Sequence, residues 1–87
     1  VSAFPNPFNP STNIKITSKP QMNIVVLIYD FRGVCVKSIA GNADKNGNMK
    51  VKWNGSNDKN DKISSGVYGV CIIAGSQKKT LKLVYSR

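Results

Sequence analysis

Histidine and glutamate are both missing from the 87 residues, which removes the commonest general base and the usual transition-metal ligand. Carboxylate chemistry would have to come from Asp30, Asp44, Asp58 and Asp61. Asp30 stands in a turn sequence and the other three in polar loops, away from any pocket-forming segment. No glycine-rich phosphate loop follows a strand and opens a helix. An enzyme is not expected.

Two loops have the oxygen-rich composition that calcium takes, Asp44-Lys45-Asn46-Gly47-Asn48 and Asn57-Asp58-Lys59-Asn60-Asp61. Calcium needs six to eight oxygens, and the helix-loop-helix calcium pattern ends in a bidentate glutamate. Neither loop has that glutamate, and Lys45, Lys59 and Lys62 oppose a cation. Solvated Asx turns are expected, with no metal and no cofactor. Cys35 and Cys71 allow a single disulfide, which would stabilise an exported domain by about 3–4 kcal/mol in the chain-entropy model. If their neighbours Val36, Val70 and Ile72 face the core, both thiols leave it, so unpaired cysteines are the expectation.

The charge is lopsided, with 13 Lys plus Arg against four Asp and a net of +9. Nucleic acid would exploit such a surface. Yet nearly all of the cations are lysines scattered along the chain, and the base-reading fork of arginine occurs only at Arg32 and Arg87. A basic, soluble surface is expected rather than a nucleic-acid interface. No apolar run approaches the roughly 18–20 residues of a membrane span. The chain begins at Val1 with no initiator Met and no signal peptide, so an excerpt from a longer protein is expected.

Ile and Val far outnumber Leu, a bias toward pleated strands. Three prolines in residues 1–13 forbid helix and predict an extended, Pro-rich lead-in, with Phe4 and Phe8 as apolar hooks. Ile14 and Ile16 alternate with polar residues up to Lys19-Pro20. Met22 to Tyr29 reads as a central strand covered on both faces. Asp30-Phe31-Arg32-Gly33 predicts a hairpin turn into a strand over Val34 to Ile39. After a loop from Gly41 to Asn48, the alternation of Met49, Val51 and Trp53 with Lys50 and Lys52 predicts a strand with an apolar inner face. Val67 to Ala74 and Thr80 to Tyr85 complete about six to seven antiparallel strands, joined by a turn through Gly75-Ser76-Gln77. The expected fold is all-β, an immunoglobulin-like β-sandwich filling residues 1–87.

Five segments in order carry a resemblance. Pro5-Asn6-Pro7-Phe8-Asn9-Pro10-Ser11-Thr12 before Ile14-Lys15-Ile16 looks like the opening of the C-terminal sorting domains of type IX secretion cargo. Ile28-Tyr29-Asp30-Phe31-Arg32-Gly33 resembles that family's hairpin, and Trp53-Asn54-Gly55 its strand end. Ser65-Gly66-Val67-Tyr68 and Lys79-Thr80-Leu81-Lys82-Leu83-Val84 close the series. The pattern is similar also to the immunoglobulin-like domain of the flagellar hook-capping protein. Relatives often have Asp where Asn54 stands, an aromatic residue where Gly69 stands, and polar residues at Val25 and Leu27.

The resemblance implies a non-catalytic sorting module at the C-terminus of an exported protein. Its path would cross the periplasm to the cell surface. Its partners would be the outer-membrane secretion machinery, the surface protease that cleaves such domains, and lipopolysaccharide. The sorting-signal candidates are Gly66, Val67, Tyr68, Lys79, Lys82, Leu83 and Val84, and the chain ends at Arg87, soon after them. Pro5, Asn6, Pro7 and Phe8 form the N-terminal motif. The competing expectation is a structural module, either hook-cap-like or a spacer in a surface protein. A carbohydrate-binding appendage would use Tyr29, Phe31 and Tyr85.

Overall fold

Seven antiparallel strands in two facing sheets make up the computed structural model, which describes residues 1–7 and 11–86. The strands are β1 (Ser2–Phe4), β2 (Thr12–Thr17), β3 (Asn23–Tyr29), β4 (Cys35–Asn42), β5 (Asn48–Trp53), β6 (Gly66–Ala74) and β7 (Gln77–Tyr85). One sheet has the order β1-β2-β5 and the other β4-β3-β6-β7. With short β1 set beside its neighbours, these orders match the two sheets of an immunoglobulin sandwich, the larger being its C′-C-F-G sheet.

Inward residues of both sheets alternate along their strands, as a pleat requires. Ile14 and Ile16 of β2, Ile24, Val26 and Ile28 of β3, and Val70 and Ile72 of β6 are buried in one cluster. At one end of that cluster, Trp53, Tyr68 and Tyr85 meet edge to face or tilted, with ring centroids 5.4–6.5 Å apart. Tyr68, near the start of β6, donates its hydroxyl to the Ser64 carbonyl at 2.6 Å, four residues upstream. This is the tyrosine corner of immunoglobulin-like domains, in which the ring fills the core while the hydroxyl ties down the entering chain.

Several expectations need correction. The lead-in is partly a strand, since Ser2 to Phe4 pairs with Lys15 to Asn13. Phe4 is 78% exposed and so is not a buried hook, because strand parity turns Ala3 inward instead; Phe8 lies outside the described residues. β4 runs on through Gly41 to Asn42, where a loop was expected. The β6–β7 turn is only Gly75-Ser76, since Gln77 already pairs with Ala74. β3 is covered on one face only: Val25, Leu27 and Tyr29 are half-buried on the outer face of the sheet.

Three loops share one construction. Asp30 Oδ1 accepts the N–H groups of Arg32 and Val34 at 2.9 and 3.0 Å. Its carbonyl accepts Gly33 N–H at 3.0 Å, and its own N–H donates to the Val34 carbonyl. Asp44 repeats the pattern with Asn46, Gly47 and Asn48, and Asn57 repeats it with Lys59, Asn60 and Asp61. The fourth residue of each loop has positive φ: 82° at Gly33, 85° at Gly47 and 66° at Asn60. Glycine takes that conformation freely, and asparagine is the side chain that tolerates it best. A Cβ at Gly33 would meet nothing within 4 Å, so Gly33→Val should destabilise through backbone strain alone, by more than about 1 kcal/mol. A thermal melt measures this, and an unchanged midpoint would contradict the turn geometry.

Candidate functional site

The candidates on the last two strands come together because β6 and β7 pair along their whole length. Gly66 lies opposite Tyr85, Val67 opposite Val84, Tyr68 opposite Leu83, and Gly69 opposite Lys82. They then divide by face. Tyr68 and Leu83 are core residues. Val67 and Lys82 are exposed on the outer face and Val84 is half-buried beside them, so these three form one surface patch. Gly69 leaves that surface low, since a Cβ there would meet nothing within 4 Å.

Lys79 does not join the patch. It is exposed like Lys82 but shares the inward parity of Leu81, Leu83 and Tyr85 and lies opposite buried Ile72. Gly66, where β6 begins, is not closely packed, for its φ is 158° and a Cβ would find open space.

Beside the patch stands the tip of the β3–β4 hairpin. Phe31 is 87% exposed, with the Arg32 guanidinium 6.0 Å from its ring centroid. A shallow hollow between hairpin and β6 is lined by Asp30, Phe31, Ile63, Val67 and Tyr68. Arg32 Nη2 pairs with Asp30 Oδ2 at 2.8 Å. That hydrogen bond, aided by the backbone N–H groups of Val34 and Arg32 and opposed by desolvation, holds the Asp30 carboxyl below the usual carboxylate range. Folded Asp30 therefore binds its proton more weakly than unfolded Asp30. Its contribution to stability is present at neutral pH and lost as the pH falls through the folded value.

The N-terminal motif acts at a distance. The Asn6 side-chain amide donates through Nδ2 to the Lys82 carbonyl at 3.0 Å and accepts Val84 N–H through Oδ1 at 2.9 Å. One side chain thus reproduces a peptide unit of an adjacent strand on the open edge of β7. Pro5 and Pro7 flank it; neither can donate to a ladder.

The opposite edge carries the same device. Asp58 N–H donates to the Val36 carbonyl at 3.0 Å, and Asp58 Oδ1 accepts Ser38 N–H at 3.1 Å. Both edges of the four-stranded sheet therefore carry an Asx residue, which blunts edge-to-edge pairing. Sequence reading missed both caps. Asn6 had been singled out only as part of a motif, and no local pattern marks Asp58 as an edge residue.

The Asx-rich loops use their oxygens internally: Asp44 Oδ1 and Asn57 Oδ1 each accept two backbone N–H groups. Cys35 and Cys71 are free, the first exposed and the second buried. β3 runs between their strands, Cys35 pairing with Tyr29 and Cys71 with Leu27. Two strand spacings of roughly 4.8 Å separate them, beyond the ~7 Å limit for a bridge. The disulfide is thereby excluded. Both cysteines are unpaired, as expected, and Cys71 stands on the outer face, where it is nonetheless buried.

Two sheets in this order, an aromatic end to the core and a tyrosine corner define an immunoglobulin-like β-sandwich domain. The chain belongs to the FlgD Ig-like domain family, whose model matches residues 6–78. Among solved structures it is similar to a region of dimeric latent PorU from Porphyromonas gingivalis, with 25% identity and a TM-score of 0.76. The likeness covers 98% of this chain but 9% of PorU, so the chain spans less than a tenth of that protein's length. No curated protein matches it.

Proposed function

We propose that this chain is a non-catalytic sorting and anchoring module that directs an exported protein through the type IX secretion system to the cell surface. One observation carries the reading: nearly the whole chain shares its fold with a region of PorU, a type IX secretion protein, at 25% identity. The ordered sequence motifs support it, and so does an exposed patch of Val67, Lys82 and Val84 on the last two strands. Its partners are then the outer-membrane secretion machinery, the surface protease and lipopolysaccharide. Its route is the periplasm in transit and then the surface.

The experiment is an export assay of a reporter fusion carrying Lys79→Ala with Lys82→Ala. Both side chains are exposed, so stability should change by less than about 0.5 kcal/mol per substitution. Export should fall while the melting temperature holds. Normal export with an unchanged melt rules out these lysines as the signal.

A second reading has its own support, for the family match is to an Ig-like domain of FlgD. In that reading the sandwich is a structural module or spacer, and the lysine variant is silent in the export assay. The carbohydrate reading fares worse, because Tyr85 is 2% exposed and Tyr29 half-buried, leaving Phe31 alone at the surface among the three aromatics invoked for it.

A further inference from the structure

The Asn6 cap covers only part of the β7 edge. In an antiparallel strand the N–H and C=O of alternate residues point to the same side. Val84 N–H and the Lys82 carbonyl point to the open side, since they meet Asn6. Thr80 and Lys78 have the same parity. The hairpin gives the same answer from its other end: Ala74 and Gln77 close the two-residue turn, so the odd-numbered residues of β7 bond to β6. The main-chain groups of Lys78 and Thr80, and the N–H of Lys82, therefore face outward with no neighbouring strand among the described residues.

This stretch lacks the usual mechanical guards. It contains no proline, and its pairing with β6 runs without a register shift. The side chains from Gln77 to Thr80 are all exposed. Charge is the remaining guard: Lys78, Lys79 and Lys82 flank the edge, neither β6 nor β7 holds an acidic residue, and no ion pair engages these lysines among the described residues. Lysines on an edge repel a second copy of the same edge. They attract a strand that carries carboxylates, because opposite charges facing each other across a ladder stabilise the pairing.

We propose that the Gln77–Lys82 edge of β7 is a docking site for an extended acidic peptide segment, which adds to the sheet as a fifth strand. Main-chain bonds to Lys78, Thr80 and Lys82 supply affinity, and carboxylates opposite Lys78 and Lys82 supply selection. Asn6 sets the far limit of the docked strand by occupying the Lys82 carbonyl. The site is independent of whether the domain sorts or spaces.

The test uses the 87-residue chain and a fluorescein-labelled, end-capped peptide Glu-Val-Thr-Val-Glu, whose palindromic order presents both glutamates in either strand direction. Fluorescence anisotropy at low salt should show saturable binding, at least about tenfold tighter than for the same peptide with lysines in place of glutamates. Hydrogen exchange at Lys78 and Thr80 N–H should slow on binding. Thr80→Pro removes an outward donor without breaking the β6 ladder, and should weaken binding about tenfold with the melt unchanged.

If Thr80→Pro fails to fold, exchange protection at Lys78 and Thr80 N–H decides between strand addition and charge alone, and Lys78→Glu with Lys82→Glu places the peptide at this edge. That pair should lose the acidic peptide and gain the lysine peptide, a reversal that damage to the fold cannot produce. Absence of binding overturns the proposal. So does acidic-peptide binding without exchange protection, or binding that folded Thr80→Pro leaves intact, since charge alone would then be the attraction.

Discussion

Trp53→Ala should lower the stability of this domain by about 3–5 kcal/mol, the range for removing a large aromatic side chain from a packed core. The indole is 1% exposed and touches both core tyrosines, with ring centroids 5.4 Å from Tyr68 and 6.1 Å from Tyr85. Neither ring can swing far to refill the space, because the Tyr68 hydroxyl is tied to Ser64 and Tyr85 is seated over Gly55. Trp53 Nε1 also donates to the Ser56 carbonyl at 2.9 Å. Its removal leaves a buried acceptor short of a partner at the root of the loop that supplies Asp58 to β4. Domains of this size have about 5–15 kcal/mol to lose. Urea unfolding measures the change, and a loss under about 1 kcal/mol would mean that the aromatic end of the core is not the anchor described.

Gly55→Ala is expected to be nearly as damaging, at about 3 kcal/mol, for two reasons that can be separated. Gly55 has φ of 73°, where an alanine loses roughly 1–2 kcal/mol. Its Cβ would also enter the space of the Tyr85 ring, and overpacking of that kind costs about 1–3 kcal/mol. Gly33→Ala provides the reference, because φ is similar there at 82° but a Cβ meets nothing within 4 Å. Equal losses for the two alanine variants, read from parallel denaturant curves, would show that Tyr85 moves aside and that only strain matters.

Much of this architecture was legible in the chain because it is written in local patterns. Alternation located β2 and β5 and turned Trp53 inward, since the period of a strand is fixed by its pleat, while a continuous apolar run marked β3 without showing which face was covered. Asp30 followed by Gly33 marked a turn whose hydrogen bonds span only four residues. β1 left no such trace: three residues before a proline cannot display a period, and their strand character comes from pairing with β2. The edge caps are more remote, as Asn6 reaches across 76 and 78 positions. The third loop was read as an Asx turn from its composition, but its kinship with the hairpin turn was hidden because Asn60 takes the position that glycine holds in the other two. Val67, Lys82 and Val84 were singled out by resemblance rather than by physics, and neither that nor their place in the chain told that they share a face which Lys79 does not, because parity, not proximity in sequence, assigns a residue its face.

The Asn6 clasp also has a mechanical meaning. A pull entering near the first residues and leaving past β7 loads the β1–β2 pairing at one end and Tyr85 of the aromatic core at the other. Between those ends lie the two hydrogen bonds that fasten Asn6 to Lys82 and Val84. Those bonds are exposed, and water can replace them one at a time, so they yield before the β6–β7 ladder shears. Forced unfolding follows the rate of opening rather than the equilibrium stability. The clasp is therefore expected to act as a mechanical fuse, letting the N-terminal segment part from β7 under load while the two sheets behind it stay closed.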